Sequence, residues 1–238
     1  MKGYDNLDMI NNSTTKNLEH QNELLNLYLK NMWIIKRRIR AVLSIYCKTE
    51  DRHTTTLFPQ TNIEFSLLQI RKILELIALS SLVSNIDLYK AQLKNVERMW
   101  NARLIFRDIE KLNSNFYPEA IVICPKDKNT WYKRKDDILS KEEFVKIYEK
   151  IGKAMHEDSP FLTLKDAQPY YKEMERNILI WIKKIQNLLW THIIKLEDKE
   201  TLFYVSIAGK LSDLPHGNIF KSIDSTEDKT SSCRPANL

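Results

Sequence analysis

The sequence predicts a mainly α protein: a multi-helix bundle around one buried helix at about residues 63–84, with a small β-hairpin towards the C-terminus. Three observations carry that expectation. Residues 67–83, LLQIRKILELIALSSLV, are apolar on nearly every helical face apart from an Arg71 and Glu75 pair. A helix of that kind has to be buried on nearly every side. The chain holds only 4 glycines in 238 residues, which disfavours Gly-rich phosphate loops and frequent tight β-turns. Near residue 191 the apolar pattern leaves the helical period for that of short strands.

The elements follow in order. Residues 1–15 are polar and unpatterned, which predicts a flexible lead. A long helix is expected from Lys16 to about Lys48, because Leu24, Tyr28, Met32, Ile35, Ile39 and Val42 recur at helical spacing. It carries the basic cluster Lys36, Arg37, Arg38 and Arg40. Residues 49–62, Thr-rich and holding Pro59, read as a loop before the buried helix. A short amphipathic helix is predicted over 86–100. Asn101 is placed to cap the next one, ARLIFRDIEKL, which ends before Asn113. The β-branched run 120–124 reads as a strand stopped by Pro125, and 126–137 as a charged loop with Trp131 and Tyr132.

Ser140 followed by Glu143 is a capping-box pattern, opening an amphipathic helix that Pro160 stops near Glu157. A last long helix is expected from Leu164 or Ala167 to Trp190. Residues 191–196 and 201–207, separated by a charged tetrapeptide, predict the hairpin, with a third short strand at 216–220. Residues 222–238 are polar and expected to be disordered. The domain reading is therefore a bundle over 16–190 with the hairpin region 191–221 packed on it.

Composition narrows the function classes. With 43% hydrophobic and 29% charged residues the chain has the balance of a folded globular protein. The net charge of +6 suits a nucleic-acid partner but does not specify one, since 31 acidic residues are interspersed with 37 basic ones. Cys47, Cys124 and Cys233 are far apart and form no CxxC, so neither a disulfide framework nor a zinc site is expected. The opening residues lack a signal-peptide core, and no apolar run is long enough for a membrane span, so a cytoplasmic protein is expected.

Three sets of residues have chemical interest. Arg71 and Glu75 stand at i, i+4, with Glu64 within about 20° of the Arg71 direction on an ideal helix. They read either as a structural ion pair or as a charged pocket for a phosphate or acidic ligand. His156 lies roughly 130° from the apolar face of its helix. It reads as a helix-capping residue, or as a general acid–base because histidine titrates near neutrality. Lys90, Lys94 and Arg98, then Arg103, Arg107 and Lys111, form two basic stripes of the kind that bind phosphate backbones or simply face solvent. His192 and His216 have no second ligand at metal spacing, and no GxSxG, Walker A, HExxH or dinucleotide fingerprint occurs. No metal and no cofactor is therefore assigned.

The pairing of QIRKILELI (69–77) with KIYEKIGKAMHEDSPF (146–161), followed by HIIKL (192–196), resembles a set of uncharacterised bacterial proteins of similar length, over about residues 60–210. That set carries no assigned activity. At superfamily level, a compact helical domain with basic residues and a helix-borne histidine resembles HEPN proteins. Those are α-helical bundles, many of which cleave RNA as dimers with an Arg, four to six residues, then a His. The motif is absent here; Lys150 ahead of His156 is the nearest substitute, and lysine does not reproduce the planar fork of arginine. The resemblance thus implies a non-catalytic or divergent member.

The leading expectation is a non-enzymatic cytoplasmic binding protein. Arg71 and Glu75 organise its core while Lys94, Arg98, Arg103 and Arg107 face a protein, RNA or DNA partner. The alternative is a HEPN-like ribonuclease or defence factor, metal-independent, with His156 as acid–base and Arg71 or Lys153 steadying developing charge. The hairpin edge and the resemblance also admit a homodimer.

Overall fold

The structure is a computed structural model and describes residues 5–46, 58–92, 101–124, 126, 130–154, 164–196, 198, 200–210 and 213–221. Among the described residues six helices and five strands follow one another. They are α1 (Asp5–Tyr46), α2 (Pro59–Val83), α3 (Ile86–Gln92), α4 (Ala102–Leu112), β1 (Glu119–Ile123), β2 (Trp131–Lys133) and α5 (Lys141–Ala154). After these come α6 (Leu164–Leu189), β3 (Thr191–Lys195), β4 (Thr201–Ser206) and β5 (His216–Lys221). The protein is mainly α, as the apolar periodicity predicts.

α2 touches each of the other five helices. Its Ile70, Ile73, Leu74, Ile77 and Ala78 are all 0% exposed, while Leu68, Leu76, Leu79 and Val83 are half-buried and Phe65 is exposed, so most but not all of the apolar surface is covered. Burial extends to its serines, and two of them, Ser66 and Ser80, bond back to their own helix. Ser66 Oγ donates to the Asn62 carbonyl and Ser80 Oγ to the Leu76 carbonyl, both at 2.7 Å. Arg71 and Glu75 lie on the same helix but at its half-buried flank, with side chains 22% and 12% exposed.

Local signals set the helix ends. Pro59 occupies the first turn of α2, where its missing N–H costs nothing. The Asn101 side chain accepts from the Arg103 and Leu104 amides at 3.1 and 3.3 Å, and Ser140 Oγ accepts from the Glu143 amide at 3.1 Å. Both caps stand where the sequence places them. Beyond α2, Asn85 Nδ2 donates to the Ser81 carbonyl while its Oδ1 receives Asn113 Nδ2, each at 2.7 Å. A buried amide pair thus ties the end of α2 to the end of α4.

The strands form one antiparallel sheet in the order β2-β1-β3-β4-β5. Directly opposed residues share a face, so the register sorts the side chains. Ala120, His192, Ile194, Phe203 and Val205 face the helices and are buried. Glu119, Ile121, Ile123, Trp131, Lys133, Ile193, Lys195, Leu202, Tyr204 and Phe220 share the outer face. On the inner face His192 Nδ1 donates to the Leu189 carbonyl at 3.0 Å, and Nε2 accepts from Tyr28 Oη at 2.8 Å. Burial holds the imidazole at a pKa of about 4, therefore neutral, and pushes the Tyr28 hydroxyl well above its usual value.

Four expectations need correction. α1 begins at Asp5, so the stretch read as a flexible lead over 1–15 is helical from residue 5. Asn, Ser and Thr cost a helix only some tenths of a kcal/mol each, and extending a formed helix needs no new nucleus. α2 starts at Pro59 rather than residue 63, since proline ends a helix but also begins one. The expected loop 126–137 contains β2, three residues whose ladder with β1 joins Ile123 to Trp131. The expected hairpin of β3 and β4, with the third strand at 216–221, is accordingly part of a five-stranded sheet that β1 and β2 extend on the other side. The second half of the expected 86–100 helix and the 222–238 tail lie outside the described residues. Among the described residues no helix is long and apolar enough to cross a membrane.

Candidate functional site

The site begins with segments that the fold brings together. β1 pairs with β3 on one side and β2 on the other, and the N-terminus of α5 stands behind them. Between these and the 113–118 turn lies a cleft of about 390 Å³. Five cationic side chains line it, Lys133, Arg134, Lys135, Lys141 and Lys195, against a single acid, Glu119. Lys133 Nζ reaches Glu119 at 2.6 Å, Lys141 pairs with Glu110 on α4, and Arg134 Nε donates to the Asp136 carbonyl at 3.4 Å. Among the described residues neither Lys135 nor Lys195 forms an ion pair.

Hydroxyls complete the wall. Tyr117 Oη donates to the Leu139 carbonyl at 3.0 Å, and burial, followed by the Glu142 and Glu143 carboxylates, drives its pKa well up. Ser140 both lines the cleft and caps α5. The Glu142 carboxyl is held below its usual range by its own backbone N–H and then by Ser140, as expected for an acid in a first helical turn. Glu143 is neutralised by Lys184 at 2.6 Å.

Lys133 and Lys195 connect the cleft to the outer face of the sheet. There the Phe220 ring lies 6.2 Å from Trp131 and 6.1 Å from Tyr204, both edge-on, so the sheet curls enough to bring its two edge strands together. Phe220 is 43% exposed and Ile123 39%, while Ile121 and Ile193 on the same face are buried. Cations beside exposed aromatic rings can hold phosphates and stack planar groups at once.

The residues expected from sequence fall elsewhere. Arg71 Nε and Glu75 Oε1 are 3.3 Å apart, and Lys72 joins the same carboxylate at 2.9 Å. The Arg71 guanidinium lies over the Tyr148 ring at 4.6 Å and donates to Tyr148 Oη at 3.2 Å. Burial, offset by that guanidinium, raises the tyrosine pKa. Glu64, expected near Arg71, instead accepts from Tyr171 Oη at 3.2 Å. A Cβ added to Gly152 would sit 3.0 Å from Arg71 Nη1, so the arginine packs against α5 where the helix has no side chain.

Arg103 and Arg107 are exposed on α4, as the stripe predicts, but each has a partner. Arg103 reaches Glu149 at 2.7 Å and Arg107 reaches Asp108 at 3.0 Å. The other cluster is divided by the fold. Lys36 is buried and donates to the Asp213 carbonyl at 3.0 Å, Arg37 lies over Trp33, and Arg38 donates to Gln69 at 2.6 Å. Lys94, Arg98 and His156 lie outside the described residues. Sequence reasoning missed the cleft; its one signal is the run Trp131-Tyr132-Lys133-Arg134-Lys135, two aromatics followed by three cations. Among the described residues no group of three His, Cys, Asp or Glu is placed to hold a metal.

Comparison with protein families, with curated proteins and with solved structures finds no match for this chain.

Proposed function

We propose that this is a non-enzymatic cytoplasmic binding protein, a helical bundle centred on α2 whose outer sheet face and adjoining cleft bind single-stranded nucleic acid. The observation that carries the reading is the continuity of Lys133 and Lys195 with both the five-cation cleft and the aromatic set Trp131, Tyr204 and Phe220. Cations neutralise phosphates along a strand, and aromatic faces accept bases whatever their sequence. A single strand fits better than a duplex, because only unpaired bases can lie flat on such rings. Arg103 and Arg107 then serve as flanking positive charge rather than as the centre of the site.

Fluorescence anisotropy with short labelled RNA and DNA strands tests the proposal. Binding at low salt should weaken linearly in log[salt], and Lys133→Glu with Lys195→Glu should lower that slope by about 0.7 for each phosphate no longer neutralised. Trp131→Ala and Phe220→Ala should reduce affinity while leaving the slope unchanged. Indifference to both nucleic acids at low salt ends the proposal. The ribonuclease alternative has in its favour the packing of Arg71 against α5, the helix that leads towards His156. RNA cleavage abolished by His156→Ala would revive it.

A further inference from the structure

We propose that the cation-lined cleft seats the terminal phosphomonoester of a single strand, so that the protein recognises strand ends while the aromatic sheet face holds the adjoining bases. This seat rests on the nucleic-acid reading and narrows it to one end of the strand. The cations come from three separate segments. Lys133, Arg134 and Lys135 belong to β2 and its continuation, Lys195 ends β3, and Lys141 opens α5. The Arg134 amide donates to the Ala120 carbonyl at 2.8 Å, which carries the ladder between β2 and β1 one residue further. Lys135 is thereby brought level with Glu119, whose partner across the other ladder is Ile193, two residues before Lys195. Charge is thus gathered at one place. A track for a running backbone would spread it along the strand instead.

Charge balance selects the ligand. Lys133 is matched by Glu119 at 2.6 Å, and Lys141 by Glu110, which lies outside the cleft. Among the described residues Lys135 and Lys195 form no ion pair, and Arg134 commits only Nε, to the Asp136 carbonyl at 3.4 Å. The two terminal nitrogens of its guanidinium are of the kind that grips two phosphate oxygens at once. Three cations therefore remain for one anion. An internal phosphate brings a single charge, whereas a phosphomonoester brings about −1.5 to −2 at pH 7 and three acceptor oxygens. Size agrees with an end rather than a run. The cleft of about 390 Å³ stands at the small end of the roughly 300–1,000 Å³ usual for ligand sites, which suits one terminal nucleotide. α5 contributes Lys141 rather than the amide of its first turn, since the Glu143 N–H is already given to Ser140 Oγ.

Anisotropy on the full chain tests it, with one short strand carrying hydroxyls at both ends, a 5′-phosphate, a 3′-phosphate, or the preferred phosphate as its methyl ester. One of the two phosphates should tighten binding about tenfold over the hydroxyl strand, the scale of an added charge-assisted hydrogen bond. Only one should do so, because a strand has a direction and the aromatic set lies to one side of the cleft. The methyl ester, which lacks the second charge, should lose the gain. Lys135→Gln, at an exposed position, and Lys195→Gln should each bring the ratio of phosphorylated to hydroxyl affinity towards one. Trp131→Ala should weaken both strands alike and keep the ratio. If the hydroxyl strand binds and neither phosphate adds to it, end recognition is overturned while the nucleic-acid reading stands. Equal gains from both ends mean that the added charge acts through the general positive field, and overturn it too. So does a gain that survives in both lysine variants. A chain that binds no strand at all fails on both counts.

Discussion

Tyr28 Oη donates to His192 Nε2 across 2.8 Å, joining the middle of α1 to the first central strand of the sheet with both side chains fully buried. This bond requires a neutral imidazole. Because burial lowers the folded pKa to about 4, the unfolded chain takes up a proton at a higher pH than the folded one does. Stability is therefore unaffected by this group above about pH 6.5 and declines as pH falls towards 4. The decline amounts to about 2 kcal/mol at pH 5 and about 3 kcal/mol at pH 4. Urea unfolding from pH 7 to pH 4 should show that slope, and it should be shallower in His192→Gln than in the parent.

Ile73 and Leu74 of α2 are 0% exposed, whereas Phe65 on the same helix is 39% exposed. Ile73→Ala or Leu74→Ala should cost about 2–5 kcal/mol through forfeited transfer energy and a residual cavity. Phe65→Ala should cost far less. Equal destabilisation in denaturant titration would show that α2 is not the enclosed element.

Asn101→Ala removes the acceptor for two orphan amides of α4 and should cost about 1 kcal/mol. Ser140→Ala should cost a similar amount at α5, and it also alters the wall of the cleft. Chemical denaturation measures both. Asn101→Ala should leave nucleic-acid affinity unchanged.

Arg71→Met should lower stability without altering nucleic-acid binding, since the guanidinium is held by Glu75 and by the Tyr148 ring. A double-mutant cycle with Tyr148→Leu should return a coupling of about 0.5–2 kcal/mol. A coupling near zero would leave Arg71 free to serve a ligand instead.

Gly217 on β5 has no room for a side chain. A Cβ there would meet the Tyr204 carbonyl oxygen at 2.8 Å and the Leu25 and Leu29 side chains of α1 at 3.1 and 3.3 Å. Gly217→Ala should therefore destabilise by about 1–3 kcal/mol. A stabilised variant in thermal unfolding would mean that α1 does not rest on that strand.

How much of this was legible depends on the range of each signal. The core helix was readable because its burial is written into consecutive residues, Leu67 to Val83. The caps at Asn101 and Ser140 were readable because one side chain acts on amides two or three positions ahead. β2 was not, since three residues are too few to show a period, and its ladder depends on β1. The start of α1 was misplaced because polar residues hide a helix that no apolar stripe marks. The cleft was invisible for a different reason. Its cations come from residues 133–135, 141 and 195, and only the pairing of β1 with β3 makes neighbours of them.

α1 packs on α2, which follows it directly, and on β5, which is made much later. The part of its apolar stripe around Leu25 and Leu29, which closes on Gly217, stays uncovered until β5 is in place. Such wide separation slows assembly and leaves sticky intermediates in the meantime. A nascent chain stalled before residue 216 should consequently recruit holdase chaperones that the released chain no longer needs.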